Sequence, residues 1–174
     1  MLKKIGLGIV VLIAALLIFA ATRPDSFSVE RRILVQAPPG KIEPLLSDFH
    51  RWAEWSPWEK LDPTMKRTFG GAPAGVGATY AWQGNQDVGS GRMEVKSVEP
   101  GKVSIQLDFI EPIAARNTAE FLLSPQGGAT EVRWVMFGPA NFMTKLMGVF
   151  FSMDKMVGKD FERGLAQLKA AAEK

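Results

Sequence analysis

His50 is the only histidine in the chain, and it stands directly before a tryptophan-rich segment. With one histidine and no cysteine, the sequence offers no set of nitrogen and sulfur metal ligands, and a Ser-His-carboxylate triad would have to use His50. The absence of cysteine also excludes disulfides and thiolate nucleophiles. A histidine at the end of a short helix is more often a capping or surface residue than a catalytic base. We therefore expect no catalytic residue here, no metal and no cofactor.

Three other polar residues are candidates for a site. Tyr80 is the only tyrosine, and a buried hydroxyl needs a hydrogen-bond partner, so Tyr80 is the best polar anchor for a bound ligand. Asp87 lies in the turn region 84–91, and Arg116 lies at the start of a predicted strand. Both positions are suited to the mouth of a cavity. An enzymatic alternative, in which these groups position a substrate or transfer protons, therefore stays open.

The charge balance argues against nucleic acid as a partner. The 174 residues include 21 Lys and Arg against 18 Asp and Glu, a formal net charge of +3. Two of the lysines are Lys3 and Lys4 at the amino end, and without them the balance is 19 against 18. A nearly neutral body lacks the basic face that binding to a phosphate backbone requires. The length is that of one ordinary domain with a sizeable core and a short extension.

Residues 5–21 form an uninterrupted apolar run behind Lys3 and Lys4. At 1.5 Å per residue a helix of this length spans roughly 25 Å, the short end for a transmembrane segment. A cleaved signal peptide is the rival interpretation, but the run is long for one and lacks a small-x-small site before Ala21 or Ala20. We favour a retained single-pass anchor in the cytoplasmic membrane. The short amino tail favours a body on the periplasmic or other extracytoplasmic side.

Alternating apolar and polar residues, separated by turn signals, predict a meander of antiparallel strands. In residues 103–109, for example, the apolar residues occupy every second position. The predicted strands are residues 27–37, 65–69, 78–83, 90–98, 103–109, 118–123 and 130–137, with a short helix at 41–49 after the first strand. The order predicts an α+β domain in which a curved antiparallel sheet wraps a helix.

That helix is predicted at the end of the chain, from Asn141 to Ala172. Its apolar residues recur at three- and four-residue steps, which predicts one buried side: Phe142, Leu146, Val149, Phe150, Met153, Val157, Phe161, Leu165 and Leu168. In the first half the opposite side is apolar as well, so this half is covered all round or contacts something apolar that the chain alone does not supply. Gly148, Gly158 and Gly164 each cost a helix roughly 1 kcal/mol, which close approach of a sheet would offset.

The segment His50 to Trp58 contains three tryptophans in a stretch without regular periodicity. Such a segment buries its indole rings or uses them for an interaction. Trp52, Trp55 and Trp58 either plug one end of the core, contact a ligand directly, or lie at a membrane interface, where tryptophan is favoured. The sequence leaves all three interpretations open.

Several local motifs resemble those of the SRPBCC or helix-grip superfamily, which includes START lipid-transfer domains, polyketide cyclases and dehydrases. The resemblance covers about residues 27–173 and is strongest to the bacterial polyketide cyclase or dehydrase-like proteins. The motifs are Ile33-Leu34-Val35-Gln36-Ala37-Pro38, Trp52-Ala53-Glu54-Trp55-Ser56-Pro57-Trp58, Gly75-Val76-Gly77-Ala78-Thr79-Tyr80-Ala81-Trp82, Gly89-Ser90-Gly91-Arg92-Met93 and Gly158-Lys159-Asp160-Phe161-Glu162-Arg163-Gly164-Leu165. They do not specify a reaction, because the superfamily mixes carriers, sensors and enzymes.

The resemblance implies a helix-grip fold with a hydrophobic-ligand cavity between the sheet and the carboxy-terminal helix. The implied ligand-binding residues, together with two from the tryptophan segment, are Trp55, Trp58, Tyr80, Trp82, Met93, Ile105, Leu107, Phe109, Phe121, Trp134, Met136, Met143, Met147 and Phe150. The opposing interpretation is that these large side chains fill the space themselves.

We therefore expect an anchor in residues 1–22, a linker in 23–26 and a helix-grip domain in 27–174. The leading functional hypothesis is a membrane-anchored domain that binds or transports a lipid or other hydrophobic small molecule without covalent chemistry. The alternatives are a cyclase or dehydratase-like enzyme, and an interaction module that docks through the tryptophan segment.

Overall fold

The computed structural model of the chain describes residues 2–150 and 152–174. Its elements are α1 (Leu2–Ala21), β1 (Ser26–Val35), α2 (Pro39–Ser47), a 3-10 helix (Phe49–Glu54), β2 (Lys66–Gly71), β3 (Ala78–Gln83), β4 (Ser90–Glu99), β5 (Lys102–Glu111), β6 (Ala115–Gln126), β7 (Ala129–Pro139), α3 (Phe142–Phe150) and α4 (Met153–Ala172). Each predicted strand is present, with bounds that differ by a few residues from the expectation.

The seven strands form one antiparallel sheet in the order β1-β7-β6-β5-β4-β3-β2. Strand β1 closes onto β7, and every later strand pairs with its neighbour in the chain. Register shifts in β4, between Ser90 and Gly91 and between Val95 and Ser97, mark irregularities that bend a strand and increase its twist. The sheet with its carboxy-terminal helix confirms the predicted helix-grip fold.

The pairing register places particular strand ends together. Ser26 pairs with Pro139, Ser90 pairs with both Gln83 and Glu111, and Gln83 pairs with Lys66. The start of β1 therefore shares one end of the sheet with the turn 84–89 and the β5–β6 connection 112–114. We call this the anchor end, because α1 finishes only a few residues before Ser26.

Helix α4 supplies the buried helical face that the sequence predicted. Phe161, Leu165 and Leu168 are all buried in the core. An ideal Cβ on Gly164 would lie 2.9 Å from the ring of Trp134 and 3.0 Å from Pro57 Cδ, so the glycine permits this close approach of helix and sheet. At Gly158 the space is taken by the Arg31 guanidinium, which pairs with Asp154 and Glu162 on the same helix.

The prediction of one continuous helix from Asn141 to Ala172 is wrong. Ser152 is extended, with φ −74° and ψ 140°, and its side chain accepts a hydrogen bond from the backbone N–H of Lys155 as the cap of α4. Helix α3 before this break has no buried residue. Phe142 is 50% exposed and Phe150 64% exposed, so the apolar side of this half is not covered by the sheet.

Helix α3 contacts α1 instead. The Arg23 guanidinium donates to the Gly148 carbonyl at 3.3 Å, and Lys145 pairs with Asp25 in the connection after α1. The N–H of Ala140 donates to the Asp25 carbonyl at 2.8 Å. Within α1, Lys4–Ala21 is long and apolar enough to cross a membrane, and only 6% of it is buried against the rest of the protein.

Candidate functional site

A cavity of about 320 Å³ lies between the sheet and α4, close to the anchor end. Its volume is within the lower range of small-molecule sites. The lining residues come from the tryptophan segment, strands β3 to β7, the turns of the anchor end and α4: Trp52, Ser56, Trp58, Glu59, Met65, Tyr80, Trp82, Gln86, Asp87, Val88, Gly89, Met93, Leu107, Phe109, Glu111, Pro112, Ala119, Trp134, Met136, Val157 and Phe161.

The inner wall is aromatic. The rings of Trp134 and Phe161 are stacked with centroids 4.0 Å apart, and Trp58 meets Trp134 edge-on at 5.8 Å. Trp82 donates its indole N–H to the Val88 carbonyl at 3.1 Å, which fixes the ring against the turn 84–89. An ideal Cβ on Gly91 would come within 2.5 Å of the Trp82 ring. The glycine therefore leaves the space in which this ring lies.

A partly buried polar cluster of Tyr80, Glu59 and Arg67 interrupts the apolar wall. The Tyr80 hydroxyl donates to Glu59 Oε1 at 2.6 Å, and the Arg67 Nε donates to Glu59 Oε2 at 2.7 Å. The Glu59 side chain is 8% exposed, so this is a largely desolvated carboxylate with a guanidinium partner. Burial, followed by the hydrogen bond to Glu59, raises the pKa of Tyr80 well above its ordinary value. The tyrosine therefore remains a hydrogen-bond donor.

The mouth is formed by the turn 84–89 and the start of the β5–β6 connection. Gln86, Asp87, Glu111 and Pro112 are exposed there and line the opening. The turn is held by Asp62, whose carboxylate accepts from the Asn85 N–H at 2.7 Å. Asp62 also accepts from the hydroxyl and N–H of Thr64, and these hydrogen bonds lower its pKa. A buried carboxylate thus anchors the loop at the entrance.

Eight of the fourteen predicted ligand-binding positions line the cavity: Trp58, Tyr80, Trp82, Met93, Leu107, Phe109, Trp134 and Met136. Their side chains come from the tryptophan segment and from alternate, inward positions of four strands, β3, β4, β5 and β7. Alternation along a strand fixes the face of a side chain, which is why the sequence identified most of the strand contribution. Whether they bind a ligand stays a prediction.

The other six positions do not line the cavity. Trp55, Ile105 and Phe121 point inward, but each is fully buried in the packed core. Trp55 donates its indole N–H to the Leu45 carbonyl at 2.7 Å and Trp52 donates to the Leu46 carbonyl at 3.1 Å, so these two rings plug the core. The prediction is wrong for the remaining three positions, Met143, Met147 and Phe150. They lie on α3, which leaves the sheet and therefore does not form a wall of the cavity.

Several lining residues were not predicted. Ala119 and Phe161 occupy inward positions of a strand and a helix, which periodicity indicates, but neither was among the fourteen predicted ligand-binding positions. Glu59 and Val88 lie in irregular segments, where no periodicity gives the direction of a side chain. The Glu59–Tyr80 contact in particular joins residues that are 21 positions apart, so only the tertiary structure identifies it.

The catalytic candidates are not brought together. His50 stacks on Phe69 with ring centroids 4.2 Å apart, and its Nδ1 lies 3.0 Å from the Asp48 carboxylate, outside the cavity lining. Arg116 is largely exposed and pairs with Asp108 at 2.8 Å, also outside the lining. Of the polar candidates, Tyr80 and Asp87 reach the cavity.

A second depression, of about 590 Å³, lies at the opposite end of the sheet. Turn residues and strand ends line it: Pro39, Gly40, Glu43, Val98, Glu99, Pro100, Gly101, Leu123 and Pro125. It is larger, but no aromatic residue is among the described residues that line it. The smaller cavity under α4 is therefore the candidate site.

Comparison with known proteins gives a family and a fold. The family model described as polyketide cyclase / dehydrase and lipid transport matches residues 26–173. A search of curated protein sequences gave no match.

Similar solved structures include protein CV1439 from Chromobacterium violaceum, with a TM-score of 0.58 and 14% identity over 87% of this chain and 99% of that one. The Aha1 dimer from Colwellia psychrerythraea has a TM-score of 0.57 and 20% identity over 84% and 96% of the two chains. Protein MLL2253 from Mesorhizobium loti has a TM-score of 0.55 and 23% identity over 84% and 95%. At these identities the likeness extends to the fold alone.

Proposed function

The chain belongs to the polyketide cyclase / dehydrase and lipid transport family, and from this premise we propose that it is a membrane-anchored domain that binds a lipid or other hydrophobic small molecule in the cavity beneath α4. The cavity itself is the observation that carries the proposal. Large aromatic residues surround it without filling it, and most of its wall is apolar. Such a wall favours the transfer of an apolar molecule out of water.

The position of the mouth supports membrane anchoring. The mouth lies at the anchor end of the sheet, the same end at which α1 joins β1. Exposed apolar side chains surround this end, among them Ile110 and Ile113 in and beside the β5–β6 connection and Phe142 and Met143 in α3. Helix α3 also packs on α1, which makes its exposed apolar face continuous with that of the anchor. A bilayer around α1 would cover both helices and face the mouth.

Mass spectrometry of the full chain, released from detergent micelles under native conditions, tests the ligand proposal. The wild-type protein is expected to carry an excess mass that extracts into organic solvent. Ala119→Trp, which fills the cavity from β6, should abolish this excess. Thr118→Trp is the matched control, because it adds the same side chain to the other face of the same strand. A bare wild-type mass, also after addition of dodecanol or phospholipid, would refute the proposal.

Fluorescence quenching in lipid nanodiscs tests the orientation. The chain has no cysteine, so a single probe can be attached at Ile113→Cys near the mouth or at Gln126→Cys at the far end of the sheet. Spin-labelled lipid should quench the probe at position 113 and leave position 126 almost unchanged. Equal quenching at both positions would contradict a mouth that faces the bilayer.

The two alternatives have less support. An enzymatic site would need free polar groups around one point, but the Tyr80 hydroxyl is engaged by Glu59 and Arg116 is engaged by Asp108 outside the cavity. An interaction module would need exposed indole rings, but Trp52 and Trp55 are buried in the core and Trp58 lines the cavity.

A further inference from the structure

The charges around the cavity are of one sign. Glu59 lies in the inner wall, and Asp87 and Glu111 lie at the mouth. No Lys, Arg or His side chain is among the described residues that line the cavity. Arg67 stands behind Glu59 and is already engaged: it donates to the Glu59 carboxylate, to the Glu59 carbonyl and to the Met65 carbonyl. An entering anion would meet three carboxylates and no available cation.

The Glu59–Tyr80 pair can accept hydrogen bonds from a ligand but has no proton left to donate to one. A carboxylate paired with a guanidinium accepts hydrogen bonds and donates none. The one proton of the Tyr80 hydroxyl is already donated to Glu59 Oε1. What the Glu59–Tyr80 pair still offers a ligand is therefore acceptor capacity on three oxygen atoms. A ligand group that donates a hydrogen bond would satisfy it, whereas a carboxylate or phosphate would not.

The aromatic rings around the cavity also favour a ligand without negative charge. Trp58, Trp82 and Phe109 line the same space, and the faces of aromatic rings attract cations and repel anions. Trp134 lines it as well, stacked on Phe161 with ring centroids 4.0 Å apart.

We propose that the ligand is an apolar molecule whose polar end donates a hydrogen bond to the Glu59–Tyr80 pair and carries no negative charge, such as a long-chain alcohol or amine. This inference rests on the proposed function. The same pair disfavours fatty acids and anionic phospholipids. Glu59 is thus the residue that determines specificity, with Arg67 as its positioning partner.

A matched ligand series tests this inference with the full chain in detergent micelles. Dodecanol, dodecylamine and dodecanoate share one alkyl chain and differ in the head group. Competition followed by native mass spectrometry gives their relative affinities, after correction for partition into micelles. We expect dodecanol and dodecylamine to bind at least about tenfold more tightly than dodecanoate, because like charges in a desolvated site repel.

Variants assign the selectivity to Glu59. Glu59→Gln removes the charge and leaves Arg67 without its carboxylate, so the preference against dodecanoate should disappear or reverse. Asp108→Asn is the matched control: its carboxylate lies outside the cavity and pairs with Arg92 and Arg116, so the preference should persist. If Glu59→Gln fails to fold, the double variant Asp87→Asn and Glu111→Gln, which removes both carboxylates at the mouth, should still weaken the preference against dodecanoate.

The outcomes separate the two proposals. Equal or tighter binding of dodecanoate by the wild-type protein would overturn the charge selectivity and leave the hydrophobic cavity supported. A preference that survives Glu59→Gln unchanged would overturn the role of Glu59. Failure of all three ligands to bind the wild-type protein would overturn both the inference and the proposed function.

Discussion

At the residue scale, the most informative contact is the one between Tyr80 and Glu59. Tyr80 is buried, the Glu59 side chain is 8% exposed, and the hydroxyl donates to the carboxylate over 2.6 Å. A hydrogen bond to a charged acceptor in a desolvated site stabilises the fold by more than a neutral one. The same contact positions the Glu59 carboxylate in the cavity wall, so stability and ligand choice depend on one side chain.

We expect Tyr80→Phe to lower the free energy of unfolding by about 1.5–3 kcal/mol, because one Glu59 oxygen loses its donor while Arg67 still holds the other. For a chain of this size that corresponds to a fall in melting temperature of roughly 2–4 °C per kcal/mol. Thermal unfolding of the full chain in detergent measures this fall in melting temperature. Ser28→Ala, which removes an exposed hydroxyl, should leave the midpoint unchanged; a neutral Tyr80→Phe would contradict the importance of the pair.

At the element scale, the two carboxy-terminal helices differ in what covers them. Helix α4 is fixed on the sheet, and its Gly164 lies within contact distance of Trp134 and Pro57. Helix α3 lies on α1, and a Cβ on Gly148 would have nothing within 4 Å. A glycine at a close crossing and a glycine on an open helix surface should respond oppositely to the same substitution.

We expect Gly164→Ala to destabilise the protein by about 1–3 kcal/mol, because the added methyl group overpacks the interface with Trp134. Gly148→Ala should stabilise it by up to about 1 kcal/mol, because alanine favours a helix and meets no neighbour. Urea unfolding of both full-length variants in the same detergent gives the comparison. A loss of stability in both would show that α3 is packed more closely than its contacts indicate.

The mouth turn 84–89 depends on Asp62. Hydrogen bonds from Thr64 and Asn85 lower the pKa of Asp62 below its ordinary value near 3.8. Because the pKa is lower in the folded than in the unfolded state, the stabilisation is present above the unfolded pKa and is lost as the pH falls through the folded one. The turn should therefore loosen in acid.

We expect Asp62→Asn to be less stable than the wild type at neutral pH, since the amide cannot replace both accepting oxygens. The difference in melting temperature should shrink as the pH falls below the ordinary aspartate pKa of 3.8, because the wild-type carboxyl then becomes protonated. Asp87→Asn in the same turn is the control, because it removes an exposed charge. A difference between Asp62→Asn and wild type that does not change with pH would contradict this account.

At the scale of the whole molecule, the end of α1, the mouth and the exposed helix α3 lie at one end of the sheet. We propose that the body stands on the extracytoplasmic face of a membrane that α1 crosses. In a bacterial host, Gln126→Cys should react with a membrane-impermeant maleimide in intact spheroplasts, because residue 126 is exposed at the far end of the sheet. Lys4→Cys should be protected until the membrane is opened. The reverse pattern would place the body in the cytoplasm.

The sequence alone determined the parts of this protein that follow from local periodicity. Alternation of apolar and polar residues fixed seven strands and the inward face of Tyr80, Trp82 and Trp134, since a strand directs successive side chains to opposite sides. The unbroken apolar run fixed α1, and spacing at three and four residues fixed the buried face of α4.

The tertiary structure decided what depends on distant neighbours. Apolar periodicity continues through residues 141–172, and so it did not reveal that the chain leaves the sheet before Ser152. Periodicity also gives a face but no distance, and therefore Phe121 fills the core while Phe109 borders empty space. Glu59 has no periodic signal at all. Glu59 is held in the wall by Tyr80 on β3 and Arg67 on the neighbouring strand β2. Only the folded sheet brings these two side chains to the same point.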